Sequence, residues 1–242
     1  MIAVLIPAHD EAEVIGRCLA SVCHAANHPE LDEAVIVVVA SDRCKDATAD
    51  IAASFGACVI QVPMPGGVGL ARATAAERAI ALGADWLAIT DADSEVPSDW
   101  LFQQRALQTD AFCGVVEVSD WLDYAPGTAC AFEATEPVGV DHGRIHGANM
   151  GVSVASYLRC GGFSDATSSE DVALVKALQA FGARIAWSPY PVVRTSARRQ
   201  AKASGGFSQF LQRLELSLMQ AQAKPLAPMH GQPVPKATEA EG

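Results

Sequence analysis

The stretch Trp86-Leu87-Ala88-Ile89-Thr90-Asp91-Ala92-Asp93 passes from apolar to acidic without a break. Residues 86–90 suit a buried strand, and side chains two apart in a strand point the same way. With the strand ending near Thr90, Asp91 and Asp93 would project together into the crevice beyond the carboxyl edge of a sheet. Open α/β sheets bind ligands there. Two oxygen donors held so suit a hard divalent cation that also grips phosphates. Alone, Asp-x-Asp is commonly a solvated turn, so the rest of the chain decides.

Working outward, strands and helices alternate. Residues 3–7 make a short apolar strand, and 11–26 carry helical spacing through Val14, Ile15, Cys18, Leu19 and Val22. Residues 35–39 are a continuous β-branched run, as a strand covered on both faces requires. A helix over 46–55 closes at Gly56, a strand follows over 58–62, and a helix over 70–82 ends at Gly83. This β-α-β-α-β-α-β order predicts right-handed crossovers and a mostly parallel sheet. The expected class is α/β, one doubly wound domain.

Beyond Asp93 the spacing predicts a helix over 98–108 with Ser98 as its N-cap, then a strand over 112–118. Residues 119–144 show no readable period. An element over 153–159, the turn Gly161-Gly162-Phe163, a helix over 170–181 capped by Ser169, and a strand over 184–187 come next. Residues 207–222 are amphipathic, suited to packing or to a partner. The Pro-rich, polar end is expected to be a disordered tail.

With 242 residues, half of them hydrophobic, the chain can bury one sizeable core. A formal charge of −11 excludes a surface made to coat nucleic acid. No apolar run reaches membrane-spanning length, which leaves peripheral membrane contact open. The first residues lack a basic leader, so no signal peptide is expected. Seven cysteines without a Cys-x-x-Cys pair fit reduced thiols and a cytoplasmic setting.

Further clusters follow the other predicted strands. These are Pro7-Ala8-His9-Asp10-Glu11, Ser41-Asp42-Arg43-Cys44-Lys45-Asp46, and Gly66-Gly67-Val68-Gly69 with Arg72 on the next helix. Each has a structural explanation, since acids favour helix N-termini and glycines make turns. All of them at strand carboxyl ends is what a nucleotide site needs. Glu170 and Asp171, at a helix start, form the last acidic pair.

Taken in order, Pro7-x-x-x-Glu11, the loop at Asp42, Asp91-Ala92-Asp93, His146-Gly147-Ala148-Asn149-Met150-Gly151, Gly161-Gly162-Phe163 and Glu170-Asp171-Val172-Ala173-Leu174 resemble family 2 glycosyltransferases over roughly residues 1–200. The resemblance implies a GT-A-type, Rossmann-like domain over 1–222. Its halves would be a nucleotide-binding one (1–118) and an acceptor or catalytic one (119–222), with 223–242 as the tail. It implies sugar transfer from a UDP- or GDP-sugar to an acceptor hydroxyl, with inversion and with Mg²⁺ or Mn²⁺.

By position, the resemblance puts Pro7, Ala8, Glu11, Asp42, Asp46, Arg72, Asp91 and Ala92 at the nucleotide, and Asn149 with His146 near the sugar or acceptor. Asp93 and Asp91 would hold the metal, Asp93 more directly. Asp171 would be the catalytic base, supported by Glu170.

Three positions depart from the family pattern. Ser41 and Arg43-Cys44 replace an acid and a small pair in the second loop, bearing on base or sugar preference. Val193-Arg194-Thr195-Ser196 stands where many relatives carry a metal-binding histidine. The basic cluster Arg194, Arg198, Arg199 and Lys202 is either a solvated run or a clamp on phosphate, from the donor or from a phosphorylated acceptor. Two other functions compete. A sugar-phosphate nucleotidyltransferase would carry a Gly-rich basic loop after the first strand, where Ala8-His9-Asp10-Glu11 stands. A non-catalytic nucleotide-sugar-binding protein would not need Asp91, Asp93 and Asp171 together.

Overall fold

Strand β1 (Ile2–Ala8) lies between β2 (Val35–Ser41) and β4 (Trp86–Ile89), parallel to both. A strand so placed has no wet face, and accordingly Ile2, Ala3, Val4, Leu5 and Ile6 are all apolar and fully buried. The computed structural model describes residues 1–118, 120–135, 139–164, 169–200 and 206–223.

The sheet has seven strands in the order β3-β2-β1-β4-β6-β5-β7, with β3 at Cys58–Gln61, β5 at Ala111–Val118, β6 at Met150–Ser153 and β7 at Ile185–Thr195. Only β6 runs antiparallel to its neighbours. One face is covered by α1 (Ile15–Ala26), α2 (Thr48–Ser54), α4 (Trp100–Ala106), α5 (Thr128–Thr135) and α8 (Phe207–Ala223). The other carries α3 (Val68–Ala81), α6 (Val154–Arg159) and α7 (Glu170–Phe181). On α3, Ala71, Ala75, Ala76 and Ala79 face the sheet, combining high helix propensity with close approach to β1 and β2. The α/β, mostly parallel expectation is met.

Several boundaries differ from the sequence expectation, each for a local reason. Helix α1 starts at Ile15, not at residue 11, and the backbone N–H groups of Glu11 and Ala12 bond to Thr48 and Asp46 across the neighbouring loop. Helix α4 begins after Asp99, and Ser98 does not cap it. Ser169 precedes α7 in a left-handed conformation (φ 59°) without a side-chain cap bond. Strand β7 runs well past Trp187. Pro189 and Pro191 argue against a strand in sequence, yet β7 is an edge strand with a register shift against β5 between Gly114 and Val116, and edges and bulges tolerate proline.

Helix α5 lies in the stretch without readable period, and β6 is only Met-Gly-Val-Ser. Gly151 in β6 is required by packing: a Cβ there would stand 2.6 Å from the Trp86 ring and 2.3 Å from Gln104 Oε1. Ala223 ends α8. The remainder of the expected tail, with Ser168 and Lys202, lies outside the described residues.

Because β1, β2 and β4 are parallel, their carboxyl ends open on one edge. The loop after β4 is tied to the end of β7 by reciprocal backbone bonds between Glu95 and Arg194 (2.8 and 3.0 Å) and by the Ser94–Thr195 hydroxyl pair (2.9 Å). Residues after β7 are thereby brought over the acids of β4. All seven cysteines are free thiols. Among the described residues, no helix is long and apolar enough to cross a membrane.

Candidate active site

A cleft of about 790 Å³ opens at this edge. It is lined by the ends of β1 (Pro7, Ala8, Glu11), β2 (Asp42, Arg43) and β4 (Asp91, Ala92, Asp93), by Arg72, by Glu170 and Asp171, and by Arg198. Residues that are far apart in sequence converge here because parallel strands deliver their C-terminal loops to one side.

Arg72 is the centre of the arrangement. It is 3 % exposed, its Nη2 donates to Asp91 Oδ1 at 2.6 Å, and its Nη1 donates to Glu170. It therefore joins the β4 loop to the start of α7 from beneath the cleft floor. Its Nε is buried without a hydrogen-bond partner among the described residues. Gly147 closes over this group: a Cβ there would lie 2.4 Å from the guanidinium. Burial raises the Glu170 carboxyl above its ordinary value, with Arg72 opposing and Asp171 adding repulsion.

Asp171 sits beside this pair but remains open to the cleft. Its Oδ2 accepts from the Gly147 N–H (3.0 Å) and its Oδ1 from the Val172 N–H (2.7 Å). Two backbone bonds fix its direction and leave lone pairs for a further proton.

The Asp93 side chain is 10 % exposed, and this near-burial drives its carboxyl up to about 6. Arg198 opposes the rise, while Asp91 and Glu11 add to it. Arg198 reaches both acids, with Nη1 2.7 Å from Glu11 Oε2 and Nη2 3.2 Å from Asp93 Oδ2. Glu11, Asp91 and Asp93 present only hard oxygen donors, and burial holds the Asp93 carboxyl above its usual range despite Arg198. Carboxylate oxygens are the donor type that a hard divalent cation takes.

At the far side Asp42 is closed off. Arg43 donates Nε and Nη2 to its two oxygens at 2.8 and 2.9 Å, and the Gly67 N–H donates at 2.9 Å. Burial alone would raise this carboxyl, but the Arg43 and Gly67 hydrogen bonds bring it below the ordinary value. Gly66, at φ 81°, makes the close approach possible: a Cβ there would stand 2.2 Å from Asp42 Oδ1. Arg43 itself holds a left-handed φ of 53°.

Three residues expected at the nucleotide or sugar lie elsewhere. Asp46 accepts from the backbone of Ala12 and Thr48 and from the Thr48 hydroxyl, bracing two loops. Asn149 is fully buried, accepting from Trp100 Nε1 and donating to the carbonyls of Val115 and Pro191, so it pins β5, β6 and β7. Arg199 pairs with Glu215 of α8 and lies over the Tyr124 ring.

Conversely, Phe207 and Phe210 of α8 line the cleft. They also fit that helix's apolar stripe, so no spacing marks them in sequence. Among the described residues the one group of three whose donor atoms lie close enough together to share an ion is Asp10, Cys44 and Asp46, not the acids of the cleft. Its atoms already hold the loops after β1 and β2, through Lys45 N–H to Asp10, Cys44 to the Ala8 carbonyl, and the Asp46 bonds above.

The sequence model described as glycosyl transferase family 2 matches residues 3–123, half of the chain. The chain belongs to glycosyl transferase family 2. It is accordingly a glycosyltransferase, and its sheet has the GT-A form of solved relatives. S. aureus TarS 1–349, solved with UDP-GlcNAc, superposes with a TM-score of 0.65 at 15 % identity, covering 95 % of this chain and 68 % of TarS 1–349. The mannosyltransferase PcManGT of Pyrobaculum calidifontis, solved with GDP-Man and Mn²⁺, gives 0.61 at 18 % identity over 94 % of this chain and 65 % of its own. M. tuberculosis glucosyl-3-phosphoglycerate synthase gives 0.54 at 18 %, over 90 % and 78 %. No curated protein matches the sequence.

Proposed function

We propose that this family 2 glycosyltransferase moves one sugar from a UDP- or GDP-sugar to an acceptor hydroxyl, using Mg²⁺ or Mn²⁺ and inverting the anomeric carbon. Residues 1–118 would supply most of the donor site and 119–222 the acceptor side, in a cytoplasmic protein whose thiols stay reduced. The carrying observation is the convergence of Asp91, Asp93 and Asp171 on one cleft large enough for a nucleotide sugar. The nucleotide sugars in TarS and PcManGT, and the Mn²⁺ in the latter, support the same reading.

When bound at Asp93 and Asp91, the cation would act as a Lewis acid on the diphosphate. The chain's own residues do the rest. Asp171, oriented by the Gly147 and Val172 N–H groups, takes the proton of the acceptor hydroxyl. The acceptor oxygen forms its bond to the anomeric carbon as the bond to the diphosphate oxygen breaks, releasing the nucleoside diphosphate. Arg72 and Glu170 keep the two halves of the site in register. Arg198 offers a planar fork to phosphate oxygens.

The test is release of UDP or GDP from a panel of nucleotide sugars, with and without an acceptor panel, in wild type and Asp171→Asn. Release that needs an acceptor and fails in Asp171→Asn is expected. Donor binding without turnover for any acceptor would favour the non-catalytic binding protein instead.

A further inference from the structure

Arg198 lies between Glu11 and Asp93, two of the acids that converge at this end of the cleft. Its two Nη atoms lie 2.7 and 3.2 Å from the carboxylates, and its side chain is 29 % exposed. Nearby Arg72 is already spent on Asp91 and Glu170. Of the arginines lining the acidic end, Arg198 is therefore the one facing the Asp93 carboxylate. Its backbone is anchored, because Thr195 and Arg194 are tied to Ser94 and Glu95 and the Arg198 N–H donates to Ser196 Oγ at 3.1 Å. The flexible stem can still carry the guanidinium a few ångströms without moving the loop.

We propose that Arg198 is a resident counter-ion that makes metal entry depend on the nucleotide. This rests on the donor-site reading above and goes beyond it. A divalent cation approaching Asp93 alone meets a positive guanidinium already satisfying that carboxylate, and like charges a few ångströms apart repel strongly away from bulk water. A nucleoside diphosphate arriving with the cation changes the exchange. Asp93 gains the cation as partner, and the arginine fork moves onto the diphosphate, for which its geometry is suited. Arg198 is thus a positioning residue for the cation as well as a contact to phosphate.

The experiment is Mn²⁺ binding followed by loss of the free-ion paramagnetic resonance signal, with and without UDP and GDP, in wild type, Arg198→Gln and Arg198→Lys. Thermal unfolding serves as the fold check. Wild type should bind Mn²⁺ weakly alone and at least about 10-fold more tightly with the fitting nucleotide, a normal coupling size. Arg198→Gln should bind Mn²⁺ alone about 10-fold more tightly than wild type and lose most of that coupling, whereas Arg198→Lys, which keeps the charge, should resemble wild type without nucleotide. Equal Mn²⁺ affinity in wild type and Arg198→Gln, with coupling retained, overturns the proposal. Should Arg198→Gln fail to fold, strong nucleotide-independent Mn²⁺ binding by wild type overturns it equally. Absence of nucleotide binding to wild type at saturating Mn²⁺ is the separate result that removes the donor site itself.

Discussion

Arg72 on α3 and Glu170 at the start of α7, 98 residues apart in the chain, form an ion pair in which both side chains are almost wholly buried. With Asp91 on the second Nη, this pair fastens the nucleotide side of the cleft to the side carrying Asp171. Removing one member of a buried pair strands the other, at a cost of about 3–5 kcal/mol. Arg72→Ala should therefore lose stability of that order in urea unfolding. Glu170→Gln, which keeps a hydrogen-bond acceptor, should lose less.

Asp171 is placed differently, half-open and held by two backbone N–H groups. Asp171→Asn should lower kcat by about 10²- to 10⁴-fold, the usual worth of a positioned base, with nucleotide affinity and unfolding midpoint near wild type. Gly147→Ala tests the same geometry from behind, since its Cβ would strike the Arg72 guanidinium. It should lose both activity and stability, where Asp171→Asn loses activity alone.

The acids at the site give the pH dependence a definite sign. Asp93, raised to about 6 mainly by burial, holds its proton longer in the folded than in the unfolded chain. Its ionisation opposes folding, so the stability it contributes is present at low pH and lost as pH rises through about 6. Glu170, also raised by burial, acts in the same direction. Cation binding needs the ionised form and runs the other way. Metal-linked nucleotide affinity should fall by about 10-fold per unit below pH 6, and calorimetry at a series of pH values reads it directly.

Asp42 offers no free oxygen edge while Arg43 holds it bidentately. Arg43→Ala should return that carboxylate to the cleft, where it can accept from a base N–H. The expected outcome is a changed ratio of UDP to GDP affinity. Because the Arg43 side chain is 46 % exposed, thermal stability should change little. An unaltered ratio would mean that this loop does not read the base.

How far the sequence carried this reading depends on the kind of signal. The first four strands were legible because buried parallel strands are written as unbroken apolar runs, and the acids after them stand out by contrast. Strand β6 was not legible, since Gly151 is there for Trp86 and Gln104, a tertiary demand without a local pattern. Strand β7 was cut short by prolines that only an edge strand can hold. At the site, residue types were readable but partners were not. Asp42 looked like an open base reader until Arg43 was found across it, and Asn149 sits three residues from His146 yet faces the core. Phe207 and Phe210 belong at once to a packing stripe and to the cleft wall, and a single sequence carries only the first message.

Calorimetric titration of UDP and GDP, with and without Mn²⁺, reads whether a cation on Asp93 completes a nucleotide site. One nucleotide should bind, more tightly with Mn²⁺, and this dependence should be lost in Asp93→Ala. Failure of both nucleotides to bind wild type with Mn²⁺ present, or undiminished Mn²⁺-dependent binding in Asp93→Ala, would contradict it.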